Sequence, residues 1–242
     1  MALTASIPAL DSGNLDAALI AVAAAAGIAA AGKQLPLQNV LMASGFAALI
    51  GGTAHGLSAN PNLAMPFGQL TFTPKAGGKI FGAVPWTVPL LWIFAVLNSR
   101  GVARLMLRPW RKQKNYGFIV IGVTAVIVTG FDLALEPFAA HVKHFWLWQP
   151  TKFPWTWHGA SPLNFVGWFF VSLLILAFAT PSLIKKAPGG SGGTELISAS
   201  LWFGAVTLFA VNAAMAGFWP VVVVDAALLS VTAVFCWRGL NW

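Results

Sequence analysis

The sequence predicts an all-α integral membrane protein, a single polytopic domain (1–242) built as a bundle of about seven transmembrane helices. Three observations predict it. Charged residues make up only 8% of the chain and hydrophobic ones 58%, whereas a soluble domain carries about 25% charged side chains. Mean hydropathy is +0.77. The apolar residues also run in blocks of about 20, the length needed to cross a hydrocarbon core of about 30 Å. This composition excludes a soluble enzyme. The formal net charge of +8 does not mark a nucleic-acid partner, because the basic residues sit between apolar blocks, where they orient helices. The expected partner is the lipid bilayer, and the expected location a prokaryotic cytoplasmic membrane. Cys236 is the single cysteine, which excludes an intrachain disulfide and a cysteine metal cluster. Residues 1–13 hold no Lys or Arg, so no cleavable signal peptide is expected.

The first span, 15–31, is rich in Ala and Gly. Small residues let backbones approach closely, so this helix is expected to pack against protein. The second, 35–57, carries His55 near its end, and a long Pro- and Gly-rich loop, 58–82, follows. The third, 83–106, ends among arginines. The fourth, 118–135, leads into Glu136-Pro137. A proline disfavours helical geometry at the residue before it, so this helix is expected to end or kink at Glu136. The second long loop, 137–163, holds Trp146, Trp148, Trp155 and Trp157. They read either as an interfacial aromatic belt or as a wall for a flat conjugated ligand. The fifth span is 164–183. Residues 185–195, with their Gly-Ser run, read as a flexible linker, and they lack the Lys-Ser/Thr of a phosphate-binding loop. The sixth and seventh spans, 196–216 and 218–237, meet at Gly217 as a tight hairpin.

The positive-inside rule orients this set with the N-terminus out and the C-terminus in. The inner side then holds Lys33, Arg100, Arg104, Arg108, Arg111, Lys112, Lys114, Lys185, Lys186 and Arg238. The outer side holds Lys75, Lys79, Lys143 and Lys152.

Six acidic residues remain. Asp11 and Asp16 stand before or at the start of the first helix and Glu195 opens the sixth; a helix N-terminus favours Asp16 and Glu195 there. Asp132 and Asp225 lie within apolar runs, where a charge costs about 2.5–3.5 kcal/mol to insert. An interhelical hydrogen bond, to Asn212 for example, suffices for Asp225. Asp132 and Glu136 are four apart and share a helix face. Two close carboxyls in a poorly hydrated site cannot both ionise cheaply, so one is expected to act as a protonated donor beside an ionised acceptor. The alternative is a structural pair bonded to a neighbouring helix or to Lys143. His55, His141, His144 and His158 all map to the outer side. His141 and His144, three apart, would with the carboxylates suit Fe, Zn or Cu, although no HExxH motif is present. Their alternative is that of interfacial side chains beside tryptophans, with no metal.

Pro66-Phe67-Gly68, then Pro85, Pro89 and Trp92, then Asp132 with Glu136-Pro137, then Asn164-Phe165 with Gly167-Trp168 follow one another in that order. In these motifs the chain resembles the membrane carotenoid hydratases and related carotenoid biosynthesis proteins, over roughly residues 51–177 and best over 66–92 and 132–168. It departs from that family where a glutamate precedes Pro-Phe-Gly, since His55 lies in that region here, and where Leu70 and Phe72 replace tyrosines. The resemblance implies cofactor-free addition of water to the terminal double bond of a linear carotenoid or similar polyisoprenoid, a lyase-class reaction. Asp132, Glu136 and His55 would be its acid and base groups. Phe67, Trp92 and Asn164 would bind substrate, and Trp146, Trp148 and Trp168 would shield a cation through their ring faces. Two other classes stay open. One is a non-catalytic pigment- or lipid-binding subunit working with other membrane subunits. The other is a metal-dependent membrane oxygenase component built on His141, His144 and His158.

Overall fold

A computed structural model of the protein describes residues 13–184 and 193–242. Asp11 and the linker expected at 185–195, up to the start of the sixth helix, lie outside them. Among the described residues seven helices are long and apolar enough to cross a membrane. They are α1 (Gly13–Gly32), α2 (Leu37–Ala59), α3 (Thr87–Met106), α4 (Tyr116–Pro137), α5 (Pro162–Ala179), α6 (Gly193–Met215) and α7 (Trp219–Leu240). Each coincides with an expected span to within a few residues. The protein is a multi-pass helical membrane protein.

The central helix is α3, packed by α1, α2, α4, α6 and α7. Its Trp92 is fully buried against α2, and Gly51 makes that approach possible, since a Cβ there would lie 2.2 Å from Trp92 Cγ. On α5, Gly167 does the same for the loop after α2, because a Cβ would meet the Phe67 ring at 2.7 Å and Pro66 O at 2.8 Å.

One end of the bundle is capped by the two long loops, zipped together. Strand β1 (Leu70–Phe72) pairs antiparallel with β4 (Trp146–Trp148), Leu70 opposite Trp148 and Phe72 opposite Trp146. A second small ladder joins β2 (Lys79–Ile80) to β3 (Val84–Pro85). The start of α1 reaches the same end, where Asp16 pairs with Lys143 Nζ at 2.7 Å. Lys143 therefore serves Asp16 and not the carboxyls of α4.

The basic residues gather at the opposite end. Glu195 in the first turn of α6 takes Arg104 Nε at 3.1 Å and Arg108 Nη2 at 2.6 Å. Arg100 Nη2 donates to Leu183 O at 2.8 Å, and Arg238 lies over the Trp110 ring at 5.9 Å. Glu195 thus holds two arginines of the α3 end as well as sitting at a helix N-terminus. This is the end that the charge rule predicts to be the inner one.

The helix expected to end or kink at Glu136 ends its α-helical geometry at Pro137 and passes into a π-helical turn, Phe138–Val142. Proline lacks the N–H that would bond the carbonyl four residues back, here Leu133. The indole of Trp157 supplies the missing donor, its Nε1 reaching Leu133 O at 3.0 Å. The wide turn then re-satisfies the backbone, with Lys143 N donating to Phe138 O at 2.9 Å and Phe145 N to Ala139 O at 2.8 Å.

Candidate active site

The carboxyls of Asp132 and Glu136 project from one face of α4 toward α5, and both are buried. Asn164, in the first turn of α5, bridges them: its Nδ2 donates to Asp132 Oδ2 at 2.6 Å and, at a longer 3.4 Å, to Glu136 Oε1. Strand β4 adds two indoles to the same place. Trp148 Nε1 donates to Glu136 Oε2 at 2.8 Å and Trp146 Nε1 to the same oxygen at 3.2 Å. Alternate residues of a strand point the same way, so the Trp-Leu-Trp sequence aims both rings inward and leaves Leu147 exposed. The donors are unequally shared. Glu136 receives three N–H groups and Asp132 one, and Asp132 Oδ1 receives none.

His55 stands apart from this pair. It lies in a box of rings, with Phe67 at 4.4 Å, Trp168 at 5.7 Å, Trp92 at 5.8 Å and Phe72 at 6.3 Å between centroids. Trp92 Nε1 donates to its Nδ1 at 3.0 Å. Gly51 O also lies 3.2 Å from that nitrogen. An indole can only donate, so Nδ1 is the acceptor and the ring proton sits on Nε2. His55 makes no hydrogen bond to either carboxyl. Trp92 and Trp168 stack at 3.9 Å, and with Phe67 they are fully buried. These three rings, expected to touch substrate, pack on one another. Phe72 links the box to the carboxyls, its ring 6.3 Å from that of Trp146.

The other histidines lie at the end capped by the two long loops. His141 Nε2 is 2.8 Å from His158 O, and the two rings are 5.6 Å apart beside Phe218 in the turn before α7. Burial first, and His141 second, hold His158 below its ordinary 6.5. His144 Nδ1 bonds Ala140 O at 3.1 Å. Among the described residues no three His, Cys, Asp or Glu side chains gather as a metal would need, so the proposed ligand set of His141, His144 and His158 with the carboxylates is not brought together. Asp225 is buried with both oxygens unpartnered, while Asn212 Nδ2 turns to Leu208 O at 2.8 Å. The expected bond between Asp225 and Asn212 is therefore not formed.

An apolar cavity of about 160 Å³ opens beside this region, lined by α1, α3, α4, α6 and Trp146. Phe131 and Leu135 of α4 face it, each one residue before a carboxyl that turns away toward α5. Trp146 is common to both places: its ring is part of the cavity wall and its N–H holds Glu136. The four tryptophans of the loop thus divide. Two bond Glu136, Trp157 caps Leu133, and Trp155 is exposed. The cavity was not foreseen, because Ala, Leu and Phe on a membrane helix look alike whether they face lipid or a void.

The chain is similar to the bisanhydrobacterioruberin hydratase of Haloarcula japonica, 24% identical over 155 residues that cover 61% of this chain and 50% of that protein. It thus matches about half of that relative's length. No solved structure matches it. The profile described as "Carotenoid biosynthesis protein" matches residues 15–232, nearly the whole helical bundle with the carboxyl pair, the tryptophan strand and the cavity inside it; the chain belongs to this carotenoid biosynthesis family.

Proposed function

We propose that this membrane protein hydrates the terminal double bond of a linear carotenoid or similar polyisoprenoid by acid–base catalysis. The observation that carries the reading is the unequal carboxyl pair. Three N–H donors converge on Glu136, whereas Asp132 has one oxygen without a hydrogen bond. Asp132 is the proton donor and its bare Oδ1 the place for the proton; Glu136 is the acceptor. In the reaction the Asp132 O–H gives its proton to one alkene carbon, and a tertiary cation forms at the other. Water adds to the cation through oxygen and loses a proton to Glu136. Transfer of that proton back to Asp132 restores the pair, and the net change is alkene plus water to tertiary alcohol. The ring of Trp146 shields the cation through its face. The name of the Haloarcula japonica relative supports this chemistry. His55, bonded to Trp92 and boxed by rings, supports the architecture and takes no proton-transfer role in this scheme.

A pigment-binding subunit without turnover is the second reading. It is favoured by the position of Trp146, whose ring separates the cavity from Glu136. Asp132→Asn tests the first. It keeps the size of the side chain and removes the acid, so product formation from a linear carotene in membranes falls by about 10²–10⁴-fold, with protein level and bound pigment unchanged. Equal hydration by both forms removes the acid role of Asp132. Pigment binding without product from the intact protein selects the subunit.

A further inference from the structure

We infer that the apolar cavity between α1, α3, α4 and α6 seats the terminal isoprene unit of a linear polyisoprenoid, which enters sideways from the lipid between α1 and α6. The inference rests on the carotenoid reading and assigns its substrate a place.

Size limits the occupant. An apolar cavity of about 150 Å³ in a protein interior stays dry and accepts a benzene-sized guest. At about 160 Å³ this one holds one branched isoprene end and not a whole polyene. The remaining chain must lie outside it. Leu19 of α1 and Leu208 of α6 both line the cavity and are 57% and 52% exposed, so its mouth opens on the lipid-facing surface between these helices. A hydrocarbon reaches the cavity through that mouth without crossing water, which removes the cost of exposing apolar surface.

The walls suit an apolar, branched end group. Phe131 lies 5.5 Å from Phe209 and 5.7 Å from Phe94, and all three line the cavity. Three rings thus face the guest, and the two polar side chains of the wall are engaged, Thr87 with Ala76 O and Asp16 with Lys143. Trp146 closes the cavity on the side of Glu136, and the Asp16–Lys143 pair ties α1 to the end of α4 at the end capped by the loops. A ring-ended carotenoid brings a substituted cyclohexene, larger than the volume on offer, so the site selects acyclic ends.

The test loads liposomes holding the intact protein with lycopene, whose ends are acyclic, or with β-carotene, whose ends are rings, and measures polyene retained per purified protein. Ala23→Phe and Ala205→Phe fill the cavity, and lycopene retention should fall by at least about tenfold. Ala29→Phe, exposed on α1 away from the cavity, should leave retention unchanged. Phe209→Ala enlarges the cavity and should raise retention of β-carotene relative to lycopene. Thermal melting of each variant identifies any that fails to fold, and the inference then stands or falls on the others. Lycopene retention unaffected by filling, or equal retention of β-carotene by the unaltered protein, overturns it. Retention needs no turnover, so a protein that binds lycopene in this cavity and forms no alcohol refutes hydration and leaves the seat intact. Hydration at the normal rate by both filled variants refutes the seat and leaves the hydratase.

Discussion

Gly51→Ala offers a direct test of the aromatic box that surrounds His55. The added Cβ would stand 2.2 Å from Trp92 Cγ and 2.5 Å from Cδ1 and Cδ2, against about 3.5–4.0 Å for ordinary carbon contacts. The ring must retreat by more than about 1 Å. It is fully buried, stacked on Trp168 at 3.9 Å and bonded to His55 at 3.0 Å. Overpacking of this kind costs about 1–3 kcal/mol, and loss of the indole hydrogen bond about 0.5–1.5 kcal/mol. The sum, about 1.5–4.5 kcal/mol, lowers the melting temperature of a chain this size by about 3–18 °C. Gly45→Ala supplies the control on the same helix. Nothing lies within 4 Å of a Cβ there, and alanine is the better helix former by about 1 kcal/mol, so that variant should melt at or above the unaltered protein. Both are followed by thermal denaturation in one detergent. Equal melting of the Gly51→Ala and Gly45→Ala variants would refute the packing of Trp92 over Gly51.

Two other expectations concern stability. Trp157→Phe removes the donor to Leu133 O and should cost about 1 kcal/mol. Pro137→Ala restores a backbone N–H there, so the same change should cost less in that background; additive melting shifts in the double-mutant cycle would refute the cap. His158, held below 6.5 by burial and by His141, resists protonation in the folded state. Its contribution is complete above 6.5 and is lost as pH falls through the lowered folded value. Melting temperature should therefore drop on acidification from about pH 8 to about pH 5, and less steeply in His158→Gln. An identical slope in the variant would locate the effect elsewhere.

The seven spans were legible because each is a block of apolar residues bounded by charges or prolines, and membrane crossing imposes that pattern on any sequence. The Asp132–Glu136 pair was legible from its four-residue spacing. Their partners were not, for a physical reason. Asn164, Trp146 and Trp148 stood out as residues expected to touch substrate, but a side-chain N–H has no preferred partner until the fold brings one. Only the pairing of β1 with β4 aims the two indoles at Glu136. Pro137 marked the end of the α-helical geometry to within one residue. The π-helical turn beyond it was not legible, because the donor that serves Leu133 O comes from twenty residues along the chain. Asp225 remained without the bond expected to Asn212, and the structure gives no account of its unpartnered burial.

The carboxyl pair and its donors come from one stretch of chain, α4 through the first turn of α5. Much of the cavity wall comes from α1 and α6, which lie on either side of that stretch in the sequence. The two can therefore vary independently. A change at Ala23 or Ala205 reshapes the hydrocarbon space without moving Asn164 or the tryptophan strand. A change in the tryptophan strand alters the carboxyls while leaving most of the cavity wall in place. Trp146 alone belongs to both, so relatives that accept differently shaped molecules are expected to differ along α1 and α6 while keeping an indole at that position.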